Sequence, residues 1–176
     1  MDTRSIGSLR VSVVGLGCNN FGTKLDEHAS VEVVHAALDA GITLFDTADI
    51  YGKGRSEEFI GRALGARSSA RDQVVLASKF GMPMDDTRRG SRPEYIRRAI
   101  EDSLRRLRTD RIDLYQVHEY DESVPIADVL GALADLGRAG KVREVGCSNF
   151  TAAQIRDADA TAGSRGTARF VSVQKE

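Results

Sequence analysis

Hydrophobic residues along the chain recur with two periods, one typical of strands and one typical of helices. Residues 74–77 and 112–117 are apolar on both faces, as expected of strands buried within a parallel sheet. Residues 27–40 instead carry apolar side chains every three or four positions, which predicts an amphipathic helix that stops at Gly41. Because single helices separate successive strands in this pattern, the sequence predicts βαβ units and a parallel α/β sheet.

The full pattern predicts a hairpin followed by six strands and five connecting helices. Gly7-Ser8 separates two short alternating runs within residues 5–14, which favours the hairpin. Side chains able to bond free backbone N–H groups predict three helix starts: a Ser56 cap, a capping box of Ser91 with Glu94, and a capping box of Thr151 with Gln154. The six strands are predicted at residues 11–16, 42–46, 74–79, 112–118, 142–147 and 170–174, and a loop is predicted at residues 161–167.

The composition is that of one globular domain covering residues 1–176, with 41% hydrophobic and 29% charged residues. A net charge of −1 leaves no basic excess, so neither nucleic acid nor a membrane surface is expected as a partner. No apolar signal core follows Met1, and no apolar run approaches the roughly 20 residues that span a bilayer, so we expect a cytoplasmic location. Cys18 and Cys147 lack metal-ligand spacing and are expected to be reduced, and no metal site is predicted.

Four chemically informative residues lie where predicted strands end. Asp46, Lys79 and His118 close three of the strands, and Tyr51 lies in the turn that follows the first of them. The ends of neighbouring parallel strands share one rim of a sheet, so these side chains are expected to gather there. A buried ammonium needs a carboxylate, and a cation beside a phenol lowers the phenol pKa from its ordinary value of about 10. Together with an imidazole, such a group can pass a proton to a carbonyl oxygen.

Two α/β architectures compete for this pattern. A length of 176 residues suits an open doubly wound sheet, whereas a (β/α)8 barrel takes about 250 residues. Gly15 and Gly17 match the first two glycines of a dinucleotide-binding loop, but Asn20 stands at the third position. Polar residues also follow five of the strands, whereas an open sheet concentrates its site at one switch point. The distribution of polar residues therefore favours the barrel.

A series of motifs resembles the aldo-keto reductase family along essentially the whole chain. The most specific is GITLFDTADIYG at residues 41–52, followed by Ser56-Glu57-Glu58 and Gly61. Further matches occur in family order at residues 77–79, 113–118, 140–146, 147–150 and 173–174. The resemblance implies an aldo-keto reductase type of (β/α)8 TIM barrel with a hairpin across its bottom. Here the barrel is expected to be incomplete, with the hairpin, about six strands and five helices.

The resemblance also implies an activity and a set of roles. The reaction would be the NADPH-dependent reduction of an aldehyde or ketone to an alcohol, or its reverse, and NADH remains open as cofactor. Tyr51 would donate the proton, His118 would orient the carbonyl oxygen, and Lys79, held by Asp46, would stabilise the tyrosinate left behind. The residues expected to hydrogen-bond the nicotinamide carboxamide are Ser148, Asn149 and Gln174. The substrate would be a small carbonyl compound.

The chain departs from the family pattern after its sixth strand. The last two βα units, to which the resemblance assigns the cofactor phosphate contacts, are absent, so we expect a truncated chain that is weakly active or inactive alone. Unpaired first and last strands predict self-association through the open barrel edges. An alternative is a non-catalytic cofactor-binding regulatory subunit of the channel-associated type, although His118 favours the enzyme. A third is a short protein that completes its barrel with a second chain.

Overall fold

The N-terminal segment is an antiparallel hairpin of β1 (Thr3–Ile6) and β2 (Leu9–Ser12). The computed structural model, which describes residues 1–67 and 70–175, thereby confirms the predicted hairpin. Gly7 turns the chain between the two strands with a φ of 56°, a left-handed value that glycine adopts without a side-chain clash. Leu9 and Val11 of this hairpin are buried and pack with Val75, Ala77 and Leu114 of the main sheet.

The main sheet contains six parallel strands that pair strictly in chain order. Helices in the described part of the chain lie between the strands, as the apolar periodicity predicted. The strands are β3 (Gly15–Gly17), β4 (Leu44–Asp46), β5 (Val75–Phe80), β6 (Ile112–Val117), β7 (Val142–Ser148) and β8 (Ser172–Gln174). The helices are α1 (Glu27–Asp39), α2 (Arg55–Gly65), α3 (Ala70–Gln73), α4 (Pro93–Leu107), α5 (Ile126–Arg138) and α6 (Ala152–Arg165).

The two faces of the sheet pack against different partners. Along β5, Leu76 and Phe80 belong to the large core shared with the helices, whereas Val75 and Ala77 belong to the small core under the hairpin. This alternation follows from the two-residue period of a strand. Helices on one face, a hairpin on the other and a strand order without reversal describe an incomplete (β/α)8 barrel. The order does not fit a doubly wound sheet, which reverses at a switch point.

The predicted first strand, Ser56 cap and loop at residues 161–167 were wrong, and tertiary contacts explain the first two. The first barrel strand is Gly15–Gly17 rather than residues 11–16, because Val11 packs in the hairpin core. Gly54 with a φ of 95° precedes α2, while the predicted cap Ser56 is buried and donates to the Cys18 carbonyl oxygen at 2.9 Å. α6 runs on through most of the predicted loop at residues 161–167 and ends at Arg165, before Gly166.

The two predicted capping boxes have different outcomes. The Thr151 hydroxyl accepts from the Gln154 N–H and the Gln154 side chain accepts from the Thr151 N–H, which confirms the box at α6. The box at α4 was wrong, since Arg92 is the residue before the helix and makes no side-chain capping bond. The Ser91 N–H instead donates to the Asp121 carboxylate at 3.0 Å. A bond to a residue thirty positions away thus replaces the local one.

Each outermost strand of the sheet has one paired edge in the described part of the chain. β3 pairs only with β4, and β8 pairs only with β7. Exposed valines lie beside both open edges: Val13 and Val14 precede β3, while Val171 and Val173 flank or belong to β8. Unpaired backbone groups next to apolar side chains favour strand addition. Self-association through these edges stays a prediction. Within residues 1–67 and 70–175, no helix has the length and apolar character to cross a membrane.

Candidate active site

The centre of the site is a buried ion pair between neighbouring strands. Lys79 lies near the end of β5 with only 1% of its surface exposed, and its Nζ donates to both carboxylate oxygens of Asp46, each at 2.8 Å. The same Nζ donates to the Thr47 carbonyl oxygen at 3.0 Å. A buried ammonium is stable only when it is paired and hydrogen-bonded. The Asp46 carboxylate supplies the counterion, and the Thr47 carbonyl oxygen supplies a further acceptor.

Tyr51 and His118 complete the group that the sequence placed at this rim. The Tyr51 hydroxyl lies 3.5 Å from Lys79 Nζ, and that Nζ lies 5.1 Å from the centre of the tyrosine ring. The His118 ring meets the Tyr51 ring edge to face, with centroids 5.8 Å apart and planes at 85°. The structure therefore brings the phenol, ammonium, carboxylate and imidazole together at the carboxyl ends of β4, β5 and β6.

The backbone directly after Tyr51 makes a tight turn that leads into α2. Gly52, Lys53 and Gly54 have φ values of 58°, 56° and 95°, so three successive left-handed residues turn the chain into α2. A Cβ at Gly52 would lie 2.8 Å from the Phe21 carbonyl oxygen, closer than atoms can approach. Glycine is required there by both conformation and space.

His118 lies in an environment that disfavours its charged form. The residue is buried, and its Nδ1 has no hydrogen-bond partner among the residues that the structure describes. Burial, and then the positive charge of Lys79, lower the His118 pKa from 6.5 to about 4, while Asp46 acts in the opposite direction. The imidazole is therefore neutral at physiological pH.

We expect NMR titration to show the His118 imidazole protonating with a midpoint of about 4, so that it stays neutral throughout the physiological range. The chain has three histidines, and His118→Gln assigns the signal by its loss. His28, with 84% of its side chain exposed, provides an internal reference. A His118 midpoint at the ordinary value of 6.5 would contradict the effect of burial and Lys79.

The three residues predicted to bind nicotinamide end β7, follow it or end β8, at the same rim. Asn149, with a φ of 61°, donates from Nδ2 to the His118 carbonyl oxygen at 3.1 Å. Gln174 donates from Nε2 to Asp46 Oδ2 at 3.0 Å, which ties β8 to the ion pair. Ser148 is the register partner of Gln174, although no side-chain hydrogen bond joins it to the other site residues in the described part of the chain.

Gln116 is a polar residue of this site that the sequence interpretation missed. It is buried on β6, two positions before His118, and donates from Nε2 to Gln174 Oε1 at 3.3 Å. The two amides and the Asp46 carboxylate thus form a continuous hydrogen-bonded row across the site. An amide within a strand of mostly apolar residues was the available signal. No group of three or more His, Cys, Asp or Glu side chains in residues 1–67 and 70–175 is arranged to hold a metal ion.

An open pocket of about 770 Å³ begins next to the site. Gly81 lies two residues after Lys79 and Glu119 directly follows His118, and both line it. The pocket lies between residues 81–90, the first turns of α4 and residues 119–123, and its charged side chains include Arg89, Arg92, Arg98, Asp86, Glu94 and Asp121. These loops therefore present polar groups of both signs beside the four central residues.

A known family model matches most of the chain. Residues 13–176 match the family model described as the aldo/keto reductase family. The chain belongs to the aldo/keto reductase family. Its order of strand ends, from Asp46 and Tyr51 through Lys79 and His118 to Gln174, lies entirely within the matched residues. The family predicted from the sequence motifs is thereby confirmed.

Known members of the family match this aldo/keto reductase chain over most of its length. Aldo-keto reductase YhdN of Bacillus subtilis (strain 168) is 42% identical over 153 residues, which are 84% of this chain and 46% of the relative. Aldo-keto reductase yakc of Schizosaccharomyces pombe, whose name specifies NADP(+), is 38% identical over 166 residues, 90% of this chain and 48% of the relative. The chain spans about half the length of these curated relatives.

A solved structure of the family supports the barrel assignment. The thermostable aldo-keto reductase Tm1743, crystallised with the inhibitor epalrestat, superposes with a TM-score of 0.87 at 28% identity. The match covers 100% of this chain and 62% of the solved chain. The prediction of an incomplete aldo-keto reductase barrel is therefore confirmed.

Proposed function

We propose that this chain carries the acid-base site of an NADPH-dependent carbonyl reductase, in which Tyr51 is the proton donor. The observation that carries the proposal is the Tyr51 hydroxyl 3.5 Å from an ammonium that is buried and fixed by Asp46. The substrate would be a small aldehyde or ketone. The contact between His118 and Tyr51 favours this function over a non-catalytic cofactor-binding subunit.

The protein side chains would manage the proton in this reaction. NADPH, when bound, supplies the hydride that adds to the carbonyl carbon. Tyr51 gives its hydroxyl proton to the carbonyl oxygen as negative charge develops there, which yields the alcohol. The Lys79 ammonium stabilises the phenolate oxygen left on Tyr51, and Asp46 balances the ammonium charge. In the oxidative direction the same groups accept the proton.

His118 would orient the carbonyl oxygen with an N–H group. We assign the proton of the neutral ring to Nε2, because Nδ1 is buried without a partner in the described residues and an unpaired buried N–H is rarer than an unpaired acceptor. Nε2–H can then donate to the carbonyl oxygen together with the Tyr51 hydroxyl. A neutral donor also avoids placing a second cation beside Lys79, which already lowers the His118 pKa.

The residues near β7 and β8 fit the carboxamide of a nicotinamide. The Asn149 side-chain amide donates to the His118 carbonyl oxygen, and Asn149 Oδ1 accepts no hydrogen bond from the described residues. A carboxamide offers both donors and an acceptor, which side-chain amides and hydroxyls complement. Ser148, Asn149 and Gln174 would therefore hold this end of the cofactor. The NADP(+) in the name of the fission-yeast relative supports NADPH over NADH.

The 176-residue chain alone is expected to bind NADPH weakly, because the family resemblance assigns the phosphate contacts to βα units beyond the sixth strand. We expect NADPH to shift the backbone NMR signals of Asn149 and Gln174, and a high concentration of chain to oxidise NADPH slowly with a simple aldehyde. Tyr51→Phe should reduce that rate roughly a hundredfold, the typical worth of a positioned acid, and leave the NMR shifts unchanged.

Tyr120→Phe is the matched control for this experiment. Tyr120 lines the neighbouring pocket but packs edge to face on Phe150, with ring centroids 5.1 Å apart, and makes no contact with Lys79 among the hydrogen bonds of the described residues. Its hydroxyl should be dispensable for turnover. Equal rates for Tyr51→Phe and the unchanged chain would refute Tyr51 as the donor. NADPH that leaves Asn149 and Gln174 unperturbed would refute the proposed cofactor site.

Three wider expectations accompany this proposal. Residues 1–176 are treated as one partial barrel domain, which the packing of the hairpin against β5 and β6 supports. A cytoplasmic location fits the reducing state expected for the two buried cysteines. Association through β3 and β8 would give each open edge a partner.

A further inference from the structure

A second polar cluster is buried on the helix side of the sheet, behind the ion pair. We call it the rear cluster and define it as Asp49, Glu57, Ser78, Tyr95 and Arg106. Asp49 follows β4, Ser78 lies on β5, Glu57 belongs to α2, and Tyr95 and Arg106 belong to α4. Asp49 is 1% exposed and Glu57 is fully buried, which is unusual for carboxyl groups.

The rear cluster is attached to both chain segments that carry the proposed chemistry. Asp49 lies between Asp46 and Tyr51, and its N–H donates to the Lys79 carbonyl oxygen at 3.0 Å. Ser78 directly precedes Lys79 and donates to Glu57 Oε1 at 2.6 Å. Because successive strand residues point to opposite faces, the side chains of Ser78 and Lys79 support the two sides of one strand end.

The two carboxyl groups of the rear cluster are satisfied unequally. Glu57 accepts from Ser78 and also from Arg106 Nε at 2.7 Å. The side-chain bond to Asp49 is a long one of 3.4 Å from the Tyr95 hydroxyl to Oδ2, and Asp49 Oδ1 has no partner in the parts of the chain described. The Arg106 guanidinium therefore hydrogen-bonds Glu57 and leaves the Asp49 carboxyl without a bond from it.

The groups that face Asp49 decide its protonation. Burial, followed by the negative charge of Glu57, raises the Asp49 pKa from 3.8 to about 7, whereas Arg106, the Ile50 N–H and the Tyr95 hydroxyl act in the opposite direction. From β6, the buried Tyr115 contributes a neutral hydroxyl that also lacks a partner within the described residues. A neutral Asp49 carboxyl fits this environment, while an ionised one beside Glu57 does not.

We propose that Asp49 is a positioning residue whose neutral carboxyl anchors residues 46–51, so that its ionisation loosens this segment and displaces Tyr51 from Lys79. Two backbone bonds join the segment beyond β4 to β5: Thr47 N–H donates to the Ala77 carbonyl, and Asp49 N–H donates to the Lys79 carbonyl. Within the turn, Tyr51 N–H donates to the Ala48 carbonyl at 3.2 Å, so Asp49 is the last residue of the segment with a backbone bond to β5 among those described. An ionised Asp49 gains solvation by moving away from Glu57, and Tyr51 is two residues further along the same backbone. The importance of the displacement for catalysis rests on the proposed function, whereas the displacement itself does not.

The test follows the four tyrosine rings of the intact chain by NMR with labelled tyrosine, between about pH 5.5 and 8.5, without cofactor or turnover. The Tyr51 ring signal should shift with a midpoint near 7, the value for Asp49, while the Tyr120 signal remains constant as an internal control. Asp49→Asn should abolish the Tyr51 transition, because asparagine does not ionise. His28→Gln should preserve it, since His28 is exposed on α1.

Two further variants keep the result decisive if Asp49→Asn alters the fold. Glu57→Gln removes the like charge and should move the midpoint below that of the unchanged chain. Tyr95→Phe removes a hydrogen bond that favours the charged form and should move the midpoint upward. A Tyr51 signal that is flat with pH, or a transition unaffected by these variants, would overturn the proposal. Tyr51→Phe with undiminished turnover would overturn the reductase mechanism and leave the positioning result intact.

Discussion

Asp113→Ala is expected to lower the free energy of unfolding by about 3–5 kcal/mol, the usual cost of breaking a buried ion pair. The Asp113 side chain is 1% exposed, and Oδ2 accepts from Arg71 Nη2 and from the Leu76 N–H, each at 2.9 Å. Arg143 Nη1 donates to Oδ1 at 3.1 Å. Removing the carboxylate leaves Arg71 without its buried counterion and Leu76 without its acceptor. Burial already lowers the Arg71 pKa, so this position tolerates an unpaired cation poorly.

Asp110→Ala is the matched control, because Asp110 also contacts an arginine but its side chain is 84% exposed. Its loss should cost less than about 1 kcal/mol, as for most surface pairs. Asp113→Asn keeps an acceptor for Leu76 while removing the charge, so its stability should fall between those of Asp113→Ala and the unchanged chain. Urea unfolding of all four proteins measures the differences. Equal losses at positions 110 and 113 would show that Asp113 is not a stabilising centre.

The sequence was sufficient for the fold because the relevant signals are local. β5 and β6 were recognised because every residue in them is buried and most of these residues are apolar. The wrong helix starts have the opposite origin. The Ser56 hydroxyl contacts Cys18 and Thr47, and the Ser91 N–H contacts Asp121, so their partners come from distant segments. Capping rules consider only hydrogen bonds between residues a few positions apart, so they do not include hydrogen bonds to distant segments.

The same distinction separates the predicted part of the site from the part that was missed. Asp46, Tyr51, Lys79 and His118 lie at strand ends within recognisable motifs, so both their presence and their shared rim could be predicted. The rear cluster has no comparable signal. Asp49 appears in the sequence as one more acid in a polar turn, and its only side-chain partner, among the residues described, is Tyr95, 46 positions away. Its burial depends on how α2 and α4 pack against the sheet.

Asp49→Asn is expected to stabilise the chain at pH 8 by up to about 4 kcal/mol and to have little effect near pH 4. The Asp49 carboxyl has a pKa of 3.8 in the unfolded chain and about 7 in the folded chain. This difference in pKa corresponds to about 4 kcal/mol of folding free energy lost when the carboxyl ionises. The folded state thus holds its proton more tightly than the unfolded state. The stability from this group is full below pH 3.8, declines as the pH rises, and is lost above the folded pKa of about 7. Asparagine does not incur this loss.

Urea unfolding at several pH values between 4 and 9 gives the free energy of unfolding of Asp49→Asn and of the unchanged chain, and the difference between them measures the effect. The gain from Asp49→Asn should grow up to about pH 7 and stay constant above it. Asp110→Asn changes an exposed carboxylate in the same way and should follow the unchanged chain at every pH. A gain that is equal at pH 4 and pH 8 would arise from packing or hydrogen bonding. Only a gain confined to the higher pH range identifies the ionisation of a carboxyl group buried beside Glu57 as its cause.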